Sequence, residues 1–103
     1  MEYKVSLEDA IRQLDKEAQQ RFTTVMRSGT MSVEYYKPDK VDLQTPHKQD
    51  ELYIIISGVG IFFRDGKRIS CKSNDVLFVP AGMEHRFENF TDDFATWVIF
   101  YGP

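Results

Sequence analysis

Cysteine and histidine are scarce in this chain: Cys71 is alone, and His47 and His85 are the only imidazoles among 103 residues. A lone thiol cannot form an internal disulfide, so nothing points to an oxidising compartment and a cytoplasmic location is expected. Long apolar runs are lacking as well. Acidic residues punctuate the opening MEYKVSLEDAIRQLDKEAQQ, which predicts no secretory signal, and no segment has the length of a membrane span. Positive charge is in deficit, with 13 Lys and Arg against 16 Asp and Glu, a net charge of -3 and a pI near 5.3. The basic residues are scattered rather than striped, so nucleic acid is excluded as a primary partner.

What the chain has in quantity is aromatic material. Eight Phe, five Tyr and one Trp bring aromatics to 14% and apolar residues to 42%, enough for a tightly filled interior in one domain of common size. Ser6 and Asp9 form a capping-box pattern, and Leu7, Ala10, Ile11, Leu14 and Ala18 recur at helical spacing, predicting an amphipathic helix from about Leu7 to about Gln20. Residues 1–21 therefore read as a helical segment and residues 22–103 as a β-barrel domain. From RFTTVMR onward the texture is one short β-rich run after another, and Asp65-Gly66 between FFR and KRISC signals a tight hairpin with a primed turn. The expected class is all-β. Several strands, ELYIIIS and WVIFY among them, are apolar on both faces, so a second layer must cover the outside. The N-terminal helix is one cover and a second subunit the other, and a homodimer is expected.

One stretch, PHKQDELYIIISGVG (residues 46–60), sets charged and amide side chains directly against a buried strand. Buried polar groups need partners, and none is visible locally. In HRFENF, His85, Phe87 and Asn89 share a face while Arg86 and Glu88 take the other and face away. His47, Glu51 and His85 thus each sit at a strand beginning, where neighbouring strands can bring them together. Two imidazoles and one carboxylate suit a divalent transition metal and leave positions open for substrate, water or dioxygen. By spacing alone, a packed, hydrogen-bonded histidine is the commoner outcome.

Two longer patterns narrow the reading. His47, three residues, Glu51, six residues and Gly58 resemble the later part of the first cupin motif, HxH followed by three or four residues, Glu, six residues and Gly. Pro80-Ala-Gly82-Met-Glu-His85-Arg-Phe-Glu-Asn89 resembles the second cupin motif, PxG, two residues, His, three residues, Asn, at every named position. The resemblance covers about half of the chain. It implies a cupin double-stranded β-helix, or jelly-roll barrel, with one N-terminal amphipathic helix, and it nominates His47, Glu51 and His85 as ligands of Fe, Mn, Ni or Zn. Two positions depart from the pattern. Asn74 stands where the second motif opens with Gly, a benign change because Asn accepts a left-handed turn. Thr45 stands where the first His of HxH belongs, which removes one of four customary ligands. Thr45 can instead hydrogen-bond a metal-bound water, or the site can be metal-free around an organic ligand.

Met31, Val33 and Tyr35, with Tyr53, Ile55, Phe87 and, registers permitting, Phe78, Trp97 and Ile99, are expected to line a pocket for a small organic molecule, although each alone reads equally as core. Gln44 and Gln49 can approach a metal-bound ligand or simply lie in a solvated loop. Cys71 reads as a small core or interface residue. Three functions follow: a metal-dependent enzyme (dioxygenase, isomerase or lyase), a non-catalytic sensor or binding cupin, and a metal-free sugar epimerase or isomerase using a histidine base. No separate general base stands out in the sequence.

Overall fold

A computed structural model of the chain describes residues 3–17 and 19–103. Helix α1 (Leu7–Asp15) begins as expected: the Ser6 hydroxyl accepts from the Asp9 amide at 3.0 Å, and the Asp9 carboxylate caps the Ser6 amide in return. The helix stops earlier than its periodicity implies. The last turn is tied to the first strand by Gln13, which donates to the Thr23 hydroxyl and the Thr24 carbonyl, and past Asp15 the Thr23 hydroxyl donates to Glu17. Gln19 then takes a left-handed φ of 71° that no α-helix accommodates. Ala18, counted in the predicted periodicity, lies outside the described residues.

Eight strands follow: β1 (Phe22–Ser28), β2 (Met31–Tyr36), β3 (Asp50–Ser57), β4 (Val59–Arg64), β5 (Lys67–Lys72), β6 (Val76–Val79), β7 (His85–Glu88) and β8 (Ala95–Tyr101). They form a five-stranded sheet, β1-β2-β8-β3-β6, and a three-stranded sheet, β5-β4-β7, with every pairing antiparallel. This is the jelly-roll arrangement expected from the sequence. Asp65 and Gly66 turn the β4–β5 hairpin with φ of 50° and 79°, the doubly left-handed geometry of a primed turn. Gly58, between β3 and β4, has φ 79°, and a Cβ there would stand 2.6 Å from the Thr91 hydroxyl and 2.7 Å from the Phe94 Cα. Only glycine fits that crossing. Asn74 adopts φ 74°, the turn conformation that a glycine would otherwise supply.

Aromatic rings fill the space between the sheets. Tyr53, Phe62, Phe87 and Phe94 are buried together with Ile55, Val79, Val98 and Cys71, and the Tyr53–Phe87 and Phe87–Phe94 ring centroids lie 4.9 and 4.8 Å apart. Burial, with Asp75 nearby, pushes the Cys71 thiol up to about 11, so it is an inert core residue at neutral pH. A second cluster lies on the outer face of the large sheet, where Leu7, Ala10 and Leu14 of α1 pack on Tyr35, Ala95 and Trp97. Each buried aromatic there is worth roughly 1.5–3 kcal/mol of transfer free energy. Among the described residues, no helix is long and apolar enough to cross a membrane.

Candidate metal centre and pocket

The two motif segments are laced together by their backbones. The Gly82 amide donates to the His47 carbonyl at 2.7 Å, and the Ala81 amide donates to the Asp50 carboxylate at 2.8 Å. These bonds hold the loop before β3 against the turn before β7. Glu51, on the inner face of β3, is registered with Val79 and Phe100, and His85 opens β7 in the opposing sheet, across from Arg64. His47, Glu51 and His85 consequently each present a donor atom, all within 4.8 Å of one another.

Glu51 and His85 are buried to 0% and 2% exposure, and His47 is half-buried. The His85 Nδ1 lies 2.9 Å from the Met83 carbonyl. A carbonyl only accepts, so Nδ1 carries a proton, and in the neutral ring Nε2 presents a lone pair. That Nε2 stands 2.7 Å from Glu51 Oε1, yet His85 Nε2 and both Glu51 carboxylate oxygens have no hydrogen-bond partner. The approach is close without hydrogen-bond alignment. Burial by itself lowers the His85 pKa, but the Glu51 carboxylate and the Met83 carbonyl outweigh it, and the imidazole is pulled above its ordinary value. Acceptors converging in a dry site call for positive charge between them, and a proton or a metal cation supplies it. Two imidazoles and a carboxylate are a donor set that fits a divalent transition metal.

A polar network stands beside the trio. Asp42, only 6% exposed, accepts from the Tyr36 hydroxyl at 2.6 Å, the Gln44 side-chain amide at 2.9 Å and the Phe87 backbone amide at 2.8 Å. Burial raises the Tyr53 pKa well above that of an ordinary phenol, with the Glu51 charge acting in the same direction. Protonated Tyr53 donates to Gln44 Oε1 at 3.0 Å, and the same oxygen is 3.5 Å from His47 Nε2. Gln44 is thus a half-buried, oriented side chain rather than part of a solvated loop.

The cavity that reaches this group has a volume of about 420 Å³, and its wall includes Arg27, Glu34, Tyr36, Gln44, His47 and Phe100. Tyr53 and Phe87, expected on the pocket wall, lie inward in the packed core instead and are not part of the cavity lining. Met31, Val33, Tyr35 and Trp97 do not line the cavity. Strand pairing sets Tyr35 opposite Trp97 and Val33 opposite Ile99 on the outer face, and Glu34 opposite Val98 and Ser32 opposite Phe100 on the inner one. The polar residues of MSVEYY face the pocket because the helix has made its apolar face the dry one. Phe78 is likewise on the outer face, 43% exposed. Thr45 is exposed. Pro46 favours an extended residue before it, so Thr45 turns away as Gln44 turns in. Arg86 and Glu88 face outward as expected, Arg86 lying over the Phe63 ring and bonding Glu88.

Glu34 was not foreseen from the sequence. It is a half-buried carboxyl whose pKa burial raises, assisted by the Glu51 charge and opposed by Arg27. Its signal was the position of a charged residue between aliphatic and aromatic neighbours in a strand, which reads as a solvent face until the pairing is known.

The chain belongs to the cupin domain family, whose Cupin_2 model matches residues 32–101. It is 34% identical over 80 residues to an uncharacterized protein of Streptomyces coelicolor, covering 76% of each chain. It is also 39% identical over 46 residues to an acireductone dioxygenase of Parvibaculum lavamentivorans, a match covering 41% of this chain and 25% of that one. Among solved structures, a Cupin 2 conserved barrel domain protein from Salinispora arenicola superposes with a TM-score of 0.71 at 18% identity, over 99% of this chain and 89% of that one. That last likeness speaks to the fold alone.

Proposed function

We propose that this cupin binds one divalent transition metal on His47, Glu51 and His85 and acts as an enzyme on a small organic molecule held in the adjoining cavity. The observation that carries the reading is the set of buried, partnerless polar atoms on Glu51 and His85, gathered with His47 within 4.8 Å. Fe, Mn, Ni and Zn all accept such nitrogen and oxygen donors. When bound, the ion supplies Lewis-acid or dioxygen-binding capacity suited to a dioxygenase, an isomerase or a lyase. The similarity to an acireductone dioxygenase over 46 residues favours the first of these.

The chain's own residues supply the rest. Phe100 and Val98 give the cavity an apolar wall, and Arg27 and Lys48 put positive charge on its lining, a setting for a substrate bearing a carboxylate or other oxyanion. Glu34, its pKa raised by burial, is the carboxyl on the cavity wall placed to exchange a proton with a bound molecule. The reading includes a cytoplasmic setting, consistent with a single buried thiol. It also includes a homodimer formed through the outer face of the large sheet, where Val76, Phe78 and Tyr101 are exposed at 62%, 43% and 36%. Sedimentation of wild type as a dimer and of Phe78→Glu as a monomer is the expected result; a monomeric wild type removes the dimer.

Elemental analysis of protein purified without a histidine tag tests the metal. Wild type should carry about one ion per chain, and His47→Ala and His85→Ala should lose it. Retention of metal by both variants refutes the assignment. Oxygen uptake with small keto acids, thiols or phenolic compounds then separates an enzyme from a sensor that binds without turnover.

A further inference from the structure

The family's four-ligand pattern is broken at Thr45, and the structure turns Thr45 out to solvent, so a fourth protein donor has to come from elsewhere or be absent. Gln44 occupies the neighbouring inward position. Its orientation is not free: Nε2 donates to the buried Asp42 carboxylate at 2.9 Å, an acceptor that would repel the amide oxygen if the group were flipped. Oε1 therefore faces Tyr53 and His47. One of its lone pairs takes the Tyr53 hydroxyl at 3.0 Å. The other faces His47 Nε2 at 3.5 Å, which donates to it only in the tautomer that protonates Nε2; when that nitrogen is a ligand it carries no proton, and both lone pairs face the same space. Neighbouring donors around an ion bound at about 2.1 Å are roughly 3–3.5 Å apart, so this oxygen and that nitrogen are spaced as two ligands of one ion. Asp42 is fixed in turn by Tyr36 and the Phe87 amide, which preorganises the donor before any ion arrives.

Resting on the metal reading above, we infer that the Gln44 side-chain oxygen is the fourth protein ligand of the ion, replacing the imidazole that Thr45 fails to provide. A neutral amide in that place leaves the protein donors with one carboxylate charge and two imidazoles. It favours a harder cation than three imidazoles would. The Tyr53 hydroxyl, donating to the amide oxygen at 3.0 Å, holds it in place. Gln49, the other glutamine on the cavity wall, has its amide committed to the Thr30 and Gly102 carbonyls and takes no part.

The test uses full-length protein, stripped with chelator, loaded with Mn(II) and labelled with ¹³C at the glutamine side-chain amide carbon. Electron–nuclear double resonance then reads which nuclei are coupled to the ion. A ¹³C coupling of directly coordinated size is expected in wild type and in Gln49→Ala, together with nitrogen couplings from imidazole, and it should vanish in Gln44→Leu. Thr45→Ala should leave the spectrum unchanged. Nitrogen couplings without the ¹³C coupling in wild type overturn the ligand role of Gln44 while leaving the metal site standing. No Mn(II) bound by wild type, with no other divalent ion retained, overturns both. Because the decisive spectrum is that of wild type, the inference stays open to refutation even if Gln44→Leu fails to fold.

Discussion

The two faces of the five-stranded sheet are built on opposite terms. Its outer face is apolar: Tyr35, Ala95 and Trp97 pack under α1, and the row Val33, Ile99, Leu52 and Phe78 runs across four paired strands to an exposed end at Phe78. Its inner face carries Ser32, Glu34 and Glu51 beside Val98 and Phe100, and Glu51 is more deeply buried than most of the apolar residues outside. Hydrophobic burial stabilises the first face, whereas the second holds a carboxylate in the dry interior, 2.7 Å from His85 Nε2 but without a hydrogen bond. Such an arrangement persists in a fold only if something is recovered by it, and here that is a site for a cation and a small molecule.

The contrast can be broken most severely from outside. Tyr35→Ala removes a buried ring between helix and sheet and should cost about 3 kcal/mol in urea unfolding. A loss well under half of that would mean that α1 contributes little to the outer layer. From inside, the expected sign reverses. Replacing Glu51 and His85 together with Leu removes partnerless polar atoms, and metal-free protein should gain about 2 kcal/mol. The same double variant should bind no metal. A destabilised double variant would show that the pair supports the metal-free fold rather than burdening it.

The smallest effect concerns pH. Burial and Glu51 raise the folded pKa of Glu34 above its ordinary 4.5. A group raised in the folded state contributes stability that is complete below its unfolded pKa and is lost as pH rises through the folded value. Glu34→Gln should therefore leave unfolding at pH 4 nearly unchanged. At pH 8 it should stabilise the protein, by less than about 1 kcal/mol because the side chain is only half-buried. Equal effects at both pH values would contradict the shift.

Parts of this architecture are legible in local sequence because local rules decide them. The Asp65-Gly66 turn follows from the left-handed geometry a two-residue hairpin demands, and the Ser6–Asp9 cap from orphan amides at a helix start. The spacing of His47, Glu51 and His85 was legible through the cupin motifs, although their convergence depends on two sheets meeting. What could not be read was parity. Period two separates Met31, Val33 and Tyr35 from Ser32, Glu34 and Tyr36 but does not tell which set faces inward, and the apolar set is the one that faces out. The choice depends on α1 covering one face, a long-range event. Helix length depends on long-range contacts in the same way, since Thr23 of β1 bonds Glu17 just past the last turn of α1. The sequence offers Gln44 only alongside Gln49, because the orientation that separates them comes from Asp42, whose own placement requires Tyr36 and the amide of Phe87.

Calorimetric titration of chelator-stripped protein with Mn(II), on wild type and on the Glu51→Leu/His85→Leu double variant, addresses the cation site most directly. The expected result is a single saturable site in wild type and none in the double variant. Equal binding by both proteins, or silence from a folded wild type toward Mn(II) and equally toward Fe(II), Ni(II) and Zn(II), would contradict the account.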